Sequence, residues 1–159
     1  MNYLEFFKED FLQGEPVKRL LEGRSYHSAN VAKERFRWWR GHNLIKVEEF
    51  LKMNVNFSQE ELKDIRIKSK NTSSMPVLFE VSQEFLEFCG LWLGDGSYDN
   101  YNENSVIISN IDKECRETFD KVASYLGANS SLMKDGGVSL RIHSTVFYKF
   151  MKKVMKFDG

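Results

Sequence analysis

The sequence predicts an α+β protein, with a small all-α module over residues 1–70, a linker over 71–76 and a mixed domain over 77–159. The first half contains short apolar-periodic segments separated by turn residues, which is typical of short helices. The segment before residue 77 is rich in Asn, Thr, Ser and Pro, a composition that favours a connector. In the second half, β-branched runs and a strong turn signal alternate with helical patterns. The order predicted there is helix, hairpin, helix, hairpin, helix.

Each element expected in the second half has a local signal. The apolar run from Phe85 onward predicts a helix, and Asp112 is suited to cap a second helix. Asp-Gly-Gly at 135–137 is a strong hairpin turn, and Ser144 or Thr145 can cap the last helix. After the first helix, the expected elements are a loop or first strand over 98–104, a strand over 105–110, a helix over 113–126, a hairpin with strands over 130–134 and 138–143, and a helix ending at Met155.

The first half is predicted to hold four or five short helices that form a small bundle. Pro16 stands in the first turn of the second helix, where a proline is tolerated. Ser58, followed three residues later by Glu61, is a capping box for the last one. The helices are expected over 4–12, 15–22, 28–40 and 45–53, and after Ser58.

Composition limits the classes of function. The chain has 159 residues, of which 42% are apolar and 14% aromatic, and this is ample for packed cores. It has neither an apolar run of about 18 residues nor a signal peptide, so neither a membrane span nor secretion is expected. Cys89 and Cys115 lie in expected helices without metal-ligand spacing, which fits free thiols in an intracellular, cytoplasmic protein.

The charge is balanced, and this opposes a simple hypothesis of nucleic-acid binding. The chain has 23 basic and 23 acidic residues, whereas proteins that bind nucleic acid normally carry a basic surface. Residues 1–75 hold 14 basic and 11 acidic side chains, and residues 76–159 hold 9 and 12. From Glu15 to Lys46, eight Lys or Arg side chains stand against three acids. The positive charge is therefore concentrated in the first half.

The most informative segment is Cys-Gly-Leu-Trp-Leu-Gly-Asp-Gly-Ser, residues 89–97. Gly90 and Gly94 lie one turn apart on one helical face, and each glycine inside a helix costs about 1 kcal/mol relative to alanine. Two of them on one face favour the close approach of a second helix. If that helix is a second copy, two Asp95 carboxylates meet at the end of the interface, which suits a divalent-metal phosphodiesterase. The alternative is a helix stop and hairpin turn, which Asp-Gly sequences commonly form.

Residues 86–96, Leu-Glu-Phe-Cys-Gly-Leu-Trp-Leu-Gly-Asp-Gly, resemble the signature helix of the LAGLIDADG homing endonucleases, in the form seen in archaeal inteins and free-standing intron enzymes. The resemblance covers about residues 77–159. It implies a half-domain that pairs with a second one through this helix and hydrolyses double-stranded DNA at specific sites with Mg²⁺ or Mn²⁺. The interface residues that it implies are Leu86, Gly90, Leu93 and Gly94.

The resemblance also implies roles at the catalytic site. Asp95 is the metal-binding acid, and the carbonyl of Gly94 is a further ligand. Lys156 stands near where the family's basic catalytic residue is expected, although a plain surface lysine is the other interpretation of this residue.

The last hairpin predicts one polar and one apolar sheet face. Between residues 138 and 143, apolar Val, Leu and Ile alternate with Ser, Arg and His. An outward row of Ser, Arg and His suits contact with base edges and phosphates in a major groove, although a solvated sheet face has the same pattern. The residues of this half that are expected to contact DNA are Ser97, Tyr98, Asn100, Ser105, Ser139, Arg141 and His143.

Part of the first half resembles a helix-turn-helix of the phage-repressor kind, over about 40 residues. The pattern is Ser-x-x-x-Val, Arg-Trp-Trp-Arg-Gly, Ile-x-Val-x-x-Phe-Leu and Ser-x-x-Glu-Leu. In that type, the helix ending in Trp-x-x-Gly enters the major groove. Aromatic residues at helical spacing are also typical of a core, and both interpretations can hold together. The expected exposed residues of this helix are Ser28, Asn30, Lys33, Glu34 and Arg37. All of these except Glu34 are expected to contact DNA, as are Lys68 and Lys70 in a basic run before the linker.

A chain with one signature helix must pair to bring two acids together. It is expected to act as a homodimer on a nearly palindromic site, or to be the first half of a two-motif enzyme. It begins Met-Asn and ends Asp-Gly, without the terminal residues that intein splicing needs, so self-splicing is not expected. The competing hypotheses are a DNA-binding regulator that keeps the fold without cutting, and an RNA maturase.

Overall fold

The computed structural model describes residues 3–70, 73–109, 112–133 and 139–157. The chain divides into two compact units. The first comprises the described residues up to Lys70 together with Pro76–Leu78, and the second comprises residues 73–75 and those from Phe79 onward. Helices are combined with two four-stranded sheets, so the predicted α+β class is confirmed.

The first unit contains a sheet, so the prediction of an all-α module is wrong. Its elements, in order, are a 3-10 helix at Tyr3–Phe7, β1 at Phe11–Gln13, α1 at Glu15–Glu22, α2 at Lys33–His42, β2 at Leu44–Lys46, α3 at Val47–Lys52, α4 at Gln59–Lys63 and β3 at Arg66–Lys68. Strand β4, at Ser74–Pro76, belongs to the first unit only through Pro76. The strand order in the sheet is β2-β1-β3-β4. Strand β4 falls within the predicted linker, and Asn71 and Thr72 lie outside the described residues.

The strands of the first unit replace helical turns that the apolar pattern alone predicts. Ile45 is fully buried and pairs with Leu12 of β1, so the start of the helix expected over 45–53 becomes β2. The helix expected over 4–12 likewise ends before β1. Asn43, with a left-handed φ of 53°, ends α2 and turns the chain into β2. A three-residue strand is too short to show the alternation that distinguishes it from a helix.

Helix α2 begins at Lys33 rather than near Ser28. The N–H of Ser25 donates to Ser28 Oγ at 3.0 Å, and the N–H of Ser28 donates to Ser25 Oγ at 3.3 Å. Asn30 then takes a left-handed φ of 52°, which interrupts a right-handed helix. Ser28, at the expected start of the helix, therefore stabilises a turn before it.

The capping box at Ser58 is confirmed. Ser58 Oγ accepts a hydrogen bond from the N–H of Glu61 at 3.2 Å, and Glu61 Oε2 accepts one from the N–H of Ser58 at 2.9 Å. This reciprocal pair satisfies two N–H groups that have no partner inside the helix. The predicted start of α4 is therefore the observed one.

The second unit has the predicted order of helix, hairpin, helix, hairpin and helix. Its elements are α5 at Gln83–Asp95, β5 at Gly96–Tyr98, β6 at Ser105–Ile108, α6 at Lys113–Leu126, β7 at Asn129–Leu132, β8 at Leu140–His143 and α7 at Thr145–Lys149, which continues as a π-helix at Phe150–Val154. The strands lie in the antiparallel order β5-β6-β8-β7. The first strand directly follows α5 instead of lying over 98–104. The turn expected at 135–137 lies outside the described residues.

The predicted caps of α6 and α7 are confirmed. Asp112 Oδ1 accepts from the N–H of Cys115 at 2.9 Å, and Gly127 ends α6 with a left-handed φ of 65°. Ser144, not Thr145, caps α7: its hydroxyl accepts from the N–H of Phe147 at 3.1 Å. Local hydrogen bonding therefore sets these boundaries.

Aromatic packing fixes one face of α5. Phe88 is fully buried, with its ring centroid 5.8 Å from that of Phe119 on α6 and 5.7 Å from that of Phe147 on α7. Trp92, one turn further along, stacks on Phe157 at a centroid distance of 5.6 Å. These contacts bury large apolar surfaces, which makes α5 the central helix of the second unit.

Replacing Gly14 with alanine should lower the free energy of unfolding by at least about 2 kcal/mol. Gly14 has a φ of 145°, and a Cβ there would overlap the carbonyl oxygen of Asp64. Gly41 is the matched control, because a Cβ at this exposed helical position would meet nothing within 4 Å. Gly41→Ala should raise stability by about 0.5–1 kcal/mol. Urea denaturation checks both values, and equal stability of the two variants would contradict the prediction.

Candidate metal and nucleic-acid site

Helix α5 presents an apolar face to solvent. Leu86 and Leu93 are 59% and 66% exposed. Gly90 and Gly94 are exposed on the same side of the helix, since positions three and four apart are neighbours there. The buried residues of α5 lie on the opposite side and are Phe85, Phe88, Cys89 and Trp92. We call the exposed side, formed by Leu86, Gly90, Leu93 and Gly94, the glycine face.

The glycines of this segment differ in whether the fold of the unit requires a glycine at that position. A Cβ at Gly90 or at Gly94 would meet no described atom within 4 Å, so packing within the unit does not require glycine at either position. A Cβ at Gly96, in contrast, would overlap both the carbonyl oxygen and the indole ring of Trp92. Each helical glycine costs about 1 kcal/mol. Because Gly90 and Gly94 have no side chains, they leave room for a group outside the unit to approach the backbone of α5 closely.

Asp95 is the last residue of α5, and its side chain is exposed. The C-terminal end of a helix carries partial negative charge, which together with a carboxylate attracts cations. Carboxylate and carbonyl oxygens, here those of Asp95 and Gly94, are the donors that Mg²⁺ and Mn²⁺ prefer. In the part of the chain that the structure describes, no three His, Cys, Asp or Glu side chains form a metal-binding group. Asp95 therefore does not belong to a ready-made group of three such ligands within the described residues.

The sheet of the second unit has a polar outward face, as the alternation predicts. Val106 and Ile142 are fully buried on the inward face, toward the helices. The residues that face outward are Ser97 of β5, Ser105 and Ile107 of β6, Arg141 and His143 of β8, and Asn129 and Ser131 of β7. The N–H of Ser109 donates to the carbonyl of Asp95 at 3.1 Å, which continues the pairing of β5 with β6. Asp95 therefore lies at the edge of this polar face.

Three residues expected to contact DNA are not available on the polar face. Tyr98 belongs to the inward side, where its hydroxyl donates to the carbonyl of Phe157 at 2.7 Å. Ser105 and Ser139 are buried, with 0% and 5% of their surface exposed. Ser105 Oγ lies 3.1 Å from His143 Nδ1 and so helps to hold the imidazole. The alternation identifies the face of the sheet on which a residue lies, but not its exposure.

An ion pair on the polar face was not predicted from the sequence. Arg141 Nη2 lies 3.8 Å from Asp99 Oδ2. Hydrogen bonds from the side chain and backbone of Asn102 hold the pKa of Asp99 below its usual value. Among the described residues, no group accepts a hydrogen bond from the buried Nε of Arg141. Asp99 thus holds one end of the guanidinium, and only the tertiary pairing of β5, β6 and β8 reveals this contact.

Asn100 belongs to a polar cluster with Lys152. Lys152 Nζ donates to the Tyr148 hydroxyl at 2.9 Å and to Asn100 Oδ1 at 3.4 Å. The same ammonium group lies over the rings of Tyr148 and Tyr98, 5.2 and 5.7 Å from their centroids. The helical spacing of Tyr148 and Lys152 could have indicated that these two side chains meet. It could not have indicated that Asn100 lies beside them. This cluster fixes the loop after β5.

Lys156 lies in a segment that returns to the C-terminal half of α5. The next residue, Phe157, stacks on Trp92 with an angle of 13° between the rings. Trp92 precedes Asp95 by one helical turn. Lys156 itself is exposed. The structure therefore brings the backbone at Lys156 toward the end of α5 that carries Asp95.

The predicted DNA contacts of the first unit do not form one helical face. Ser28 and Asn30 are exposed, but they lie in the turn before α2. The other predicted residues are Lys33, Glu34 and Arg37, exposed on α2, Lys68, half-buried in β3, and Lys70, exposed after it. The late start of α2 therefore divides the residues predicted on this helix between a turn and α2, whereas Lys68 and Lys70 were expected in a separate basic run.

Neither cysteine belongs to the polar face. Cys89 and Cys115 are free thiols. Burial raises the pKa of Cys89 to about 11, so this thiol stays protonated near neutral pH. Cys89 acts as a small apolar residue of the core, as expected.

Comparisons with family models, with curated proteins and with solved structures find no match to this chain. Within the described ranges, no helix has both the length and the apolar character that crossing a membrane requires. The geometry of the site is therefore the basis for assigning a function.

His143 should titrate below its ordinary pKa of 6.5, and Arg141→Gln should raise this pKa. Partial burial lowers the pKa most, and the charge of Arg141 lowers it further. Because folding lowers the pKa, the neutral imidazole contributes stability that is lost as the pH falls below 6.5. An NMR titration of the His143 ring protons measures the pKa, with Lys121→Gln as the control for loss of a distant positive charge. The same pKa in Arg141→Gln as in the unaltered chain would refute the prediction.

Proposed function

We propose that the chain is a divalent-metal-dependent DNA endonuclease of the LAGLIDADG homing type, which acts as a homodimer or with a second half-domain of the same kind. One arrangement carries the proposal: the glycine face of α5 ends at the exposed carboxylate of Asp95, and Asp95 borders the polar face of the sheet. A helix pair formed through the glycine face would bring two copies of Asp95 together. The two-fold axis of such a pair would match a nearly palindromic DNA site.

The exposed leucines support a paired helix rather than a solvated one. Leu86 and Leu93 expose most of their side-chain surface, and burying one leucine is worth about 1.5–3 kcal/mol. A symmetric interface would bury both leucines from each copy. The absence of a Cβ at Gly90 and Gly94 would let the two backbones approach closely and add dispersion contacts.

The donors at the end of α5 fit a hard divalent cation. Asp95 would hold the metal through its carboxylate, and the carbonyl of Gly94 would add an oxygen ligand. A bound metal would supply charge stabilisation to the scissile phosphate and lower the pKa of the attacking water. Asp95 keeps this site at the edge of the polar face, where a phosphate backbone lying on the sheet would pass. Lys156 is the candidate for a positive charge near the same phosphate.

The polar face suits double-stranded DNA through Arg141 and His143. A guanidinium can donate two hydrogen bonds to guanine or one to a phosphate, and an imidazole can donate to either. Asp99 holds Arg141 at one end, so less side-chain freedom is lost when DNA binds. The exposed edge strand adds the side chains of Asn129 and Ser131.

Asp95→Asn should lower DNA cleavage by about a hundredfold or more, because charge stabilisation by a bound metal is worth several kcal/mol. The substrate is a library of palindromic duplexes, each built from two inverted copies of a random half-site, with Mg²⁺ present. Sequencing the cut ends measures both rate and site. Asp120→Asn is the matched control, since this exposed carboxylate on α6 accepts a hydrogen bond from Ser130 at 2.8 Å that an amide oxygen can also accept. It should cut as the unaltered chain does.

Two outcomes would overturn parts of this proposal. Binding of the library without any cut ends would contradict the nuclease and favour the competing function, a DNA-binding regulator. Cutting that persists in Asp95→Asn would contradict the assignment of the metal to Asp95. An RNA maturase would instead prefer structured RNA to the duplex library.

A further inference from the structure

A small cavity lies between the start of α5 and the C-terminal half of α6, within the second unit. Its volume is about 320 Å³, near the lower end of the range for pockets that hold small molecules, about 300–1,000 Å³. The residues that line it include none from the glycine face or from the polar face of the sheet. We propose that this cavity binds a free α-amino acid with an apolar side chain.

The floor of the cavity is apolar and one of its walls is aromatic. Phe85 of α5 and Val122 of α6 form the floor and are 2% and 3% exposed. The wall is the ring of Tyr125, which meets the ring of Phe79 edge to face at a centroid distance of 5.5 Å. The Tyr125 hydroxyl accepts a hydrogen bond from the N–H of Glu80 at 2.8 Å. These contacts hold the wall in place before a ligand arrives, so binding loses little side-chain entropy.

Side chains of both charges line the same cavity. Glu80 and Lys121 are exposed and Glu84 is half-buried. In the part of the chain that the structure describes, none of these three side chains takes part in an ion pair. A hydrogen bond from its own N–H lowers the pKa of Glu84 most, and Ser82 and the nearby charge of Lys121 lower it further. Glu84 is therefore ionised near neutral pH.

An apolar amino acid matches this arrangement of charge and apolar surface. Its ammonium and carboxylate groups are bonded to one carbon, so both lie at one end of the molecule and the side chain extends from it. The ammonium group would pair with Glu80 and Glu84, and the carboxylate with Lys121. The side chain would cover Phe85 and Val122 and leave water.

Other small molecules match the cavity less well. A simple amine would place its positive charge near Lys121 without a carboxylate to offset it. A simple carboxylic acid, or a nucleotide with its anionic phosphates, would face the carboxylates of Glu80 and Glu84. A ligand that carries one charge of each sign is therefore favoured over a ligand that carries only one kind.

An NMR titration of the complete chain tests the proposal with four compounds that share a phenyl ring. L-Phenylalanine carries both charges, L-phenylalanine amide only the positive one, 3-phenylpropionate only the negative one, and N-acetyl-L-phenylalanine amide neither. The ring current of the bound phenyl group should shift the methyl resonances of Val122. Those of Val17, fully buried in the first unit, should stay in place. L-Phenylalanine should bind about fivefold or more tightly than each of the other three.

Two variants test the roles of the charged side chains. Lys121→Gln should weaken the binding of L-phenylalanine about fivefold without weakening that of L-phenylalanine amide, which has no carboxylate. Glu84→Gln should weaken both of these compounds without weakening 3-phenylpropionate, which has no ammonium group. Lys113→Gln and Glu114→Gln are the matched controls and should bind as the unaltered chain does. Both residues are exposed on α6, and Glu114, like Glu84, stands in the first turn of its helix.

Three results would overturn the proposal. The first is no shift of the Val122 methyl resonances at millimolar L-phenylalanine. The second is equal affinity for L-phenylalanine and its amide, which would assign the cavity to the N-terminal residue of a protein chain. The third is the same affinity for L-phenylalanine in Lys121→Gln and in Lys113→Gln. These titrations use neither DNA nor metal, so their outcome is independent of whether Asp95 supports cleavage.

Discussion

The packing of Trp92 is the interaction on which the candidate site depends. Its ring stacks on Phe157, and its ring and carbonyl leave no room for a side chain at Gly96. Helix α5 therefore passes into β5 without a connecting loop, and Asp95 stands at the junction. Because the aromatic side of α5 is buried by the core of the second unit, its glycine face must point outward. The position of the carboxylate and the exposure of the interface thus have one physical cause.

Positive charge and candidate chemistry belong to different units. The first unit exposes the arginines of α2, whereas the polar face of the second unit has Arg141 partly neutralised by Asp99. A balanced net charge over 159 residues is therefore compatible with DNA binding, because local surfaces and not the total determine contact with phosphate. A weakly basic polar face would bind non-specific DNA poorly, which favours discrimination between sites.

Sequence patterns predicted the parts of the structure that local interactions determine. The end of α5 at Asp95, the caps at Ser58, Asp112 and Ser144 and the order of elements in the second unit follow from short-range hydrogen bonds and periodicity. The sheet of the first unit was missed because its strands are three residues long and gain their stability from distant partners. The ion pair between Arg141 and Asp99 was missed because only strand pairing brings these residues together.

Pairing of the glycine face of α5 with the same face of a second half-domain is the step on which the proposed activity depends, and in a homodimer that half-domain belongs to a second copy of this chain. Disulfide trapping of Gly90→Cys, in a chain with Cys115→Ser, tests it most directly. A pair of helices in contact through this face brings the two Cα atoms within about 7 Å, so mild oxidation should give a covalent dimer. Leu132→Cys, at another exposed leucine, should remain a monomer. An exposed thiol at position 90 that oxidises no faster than the control would contradict the account.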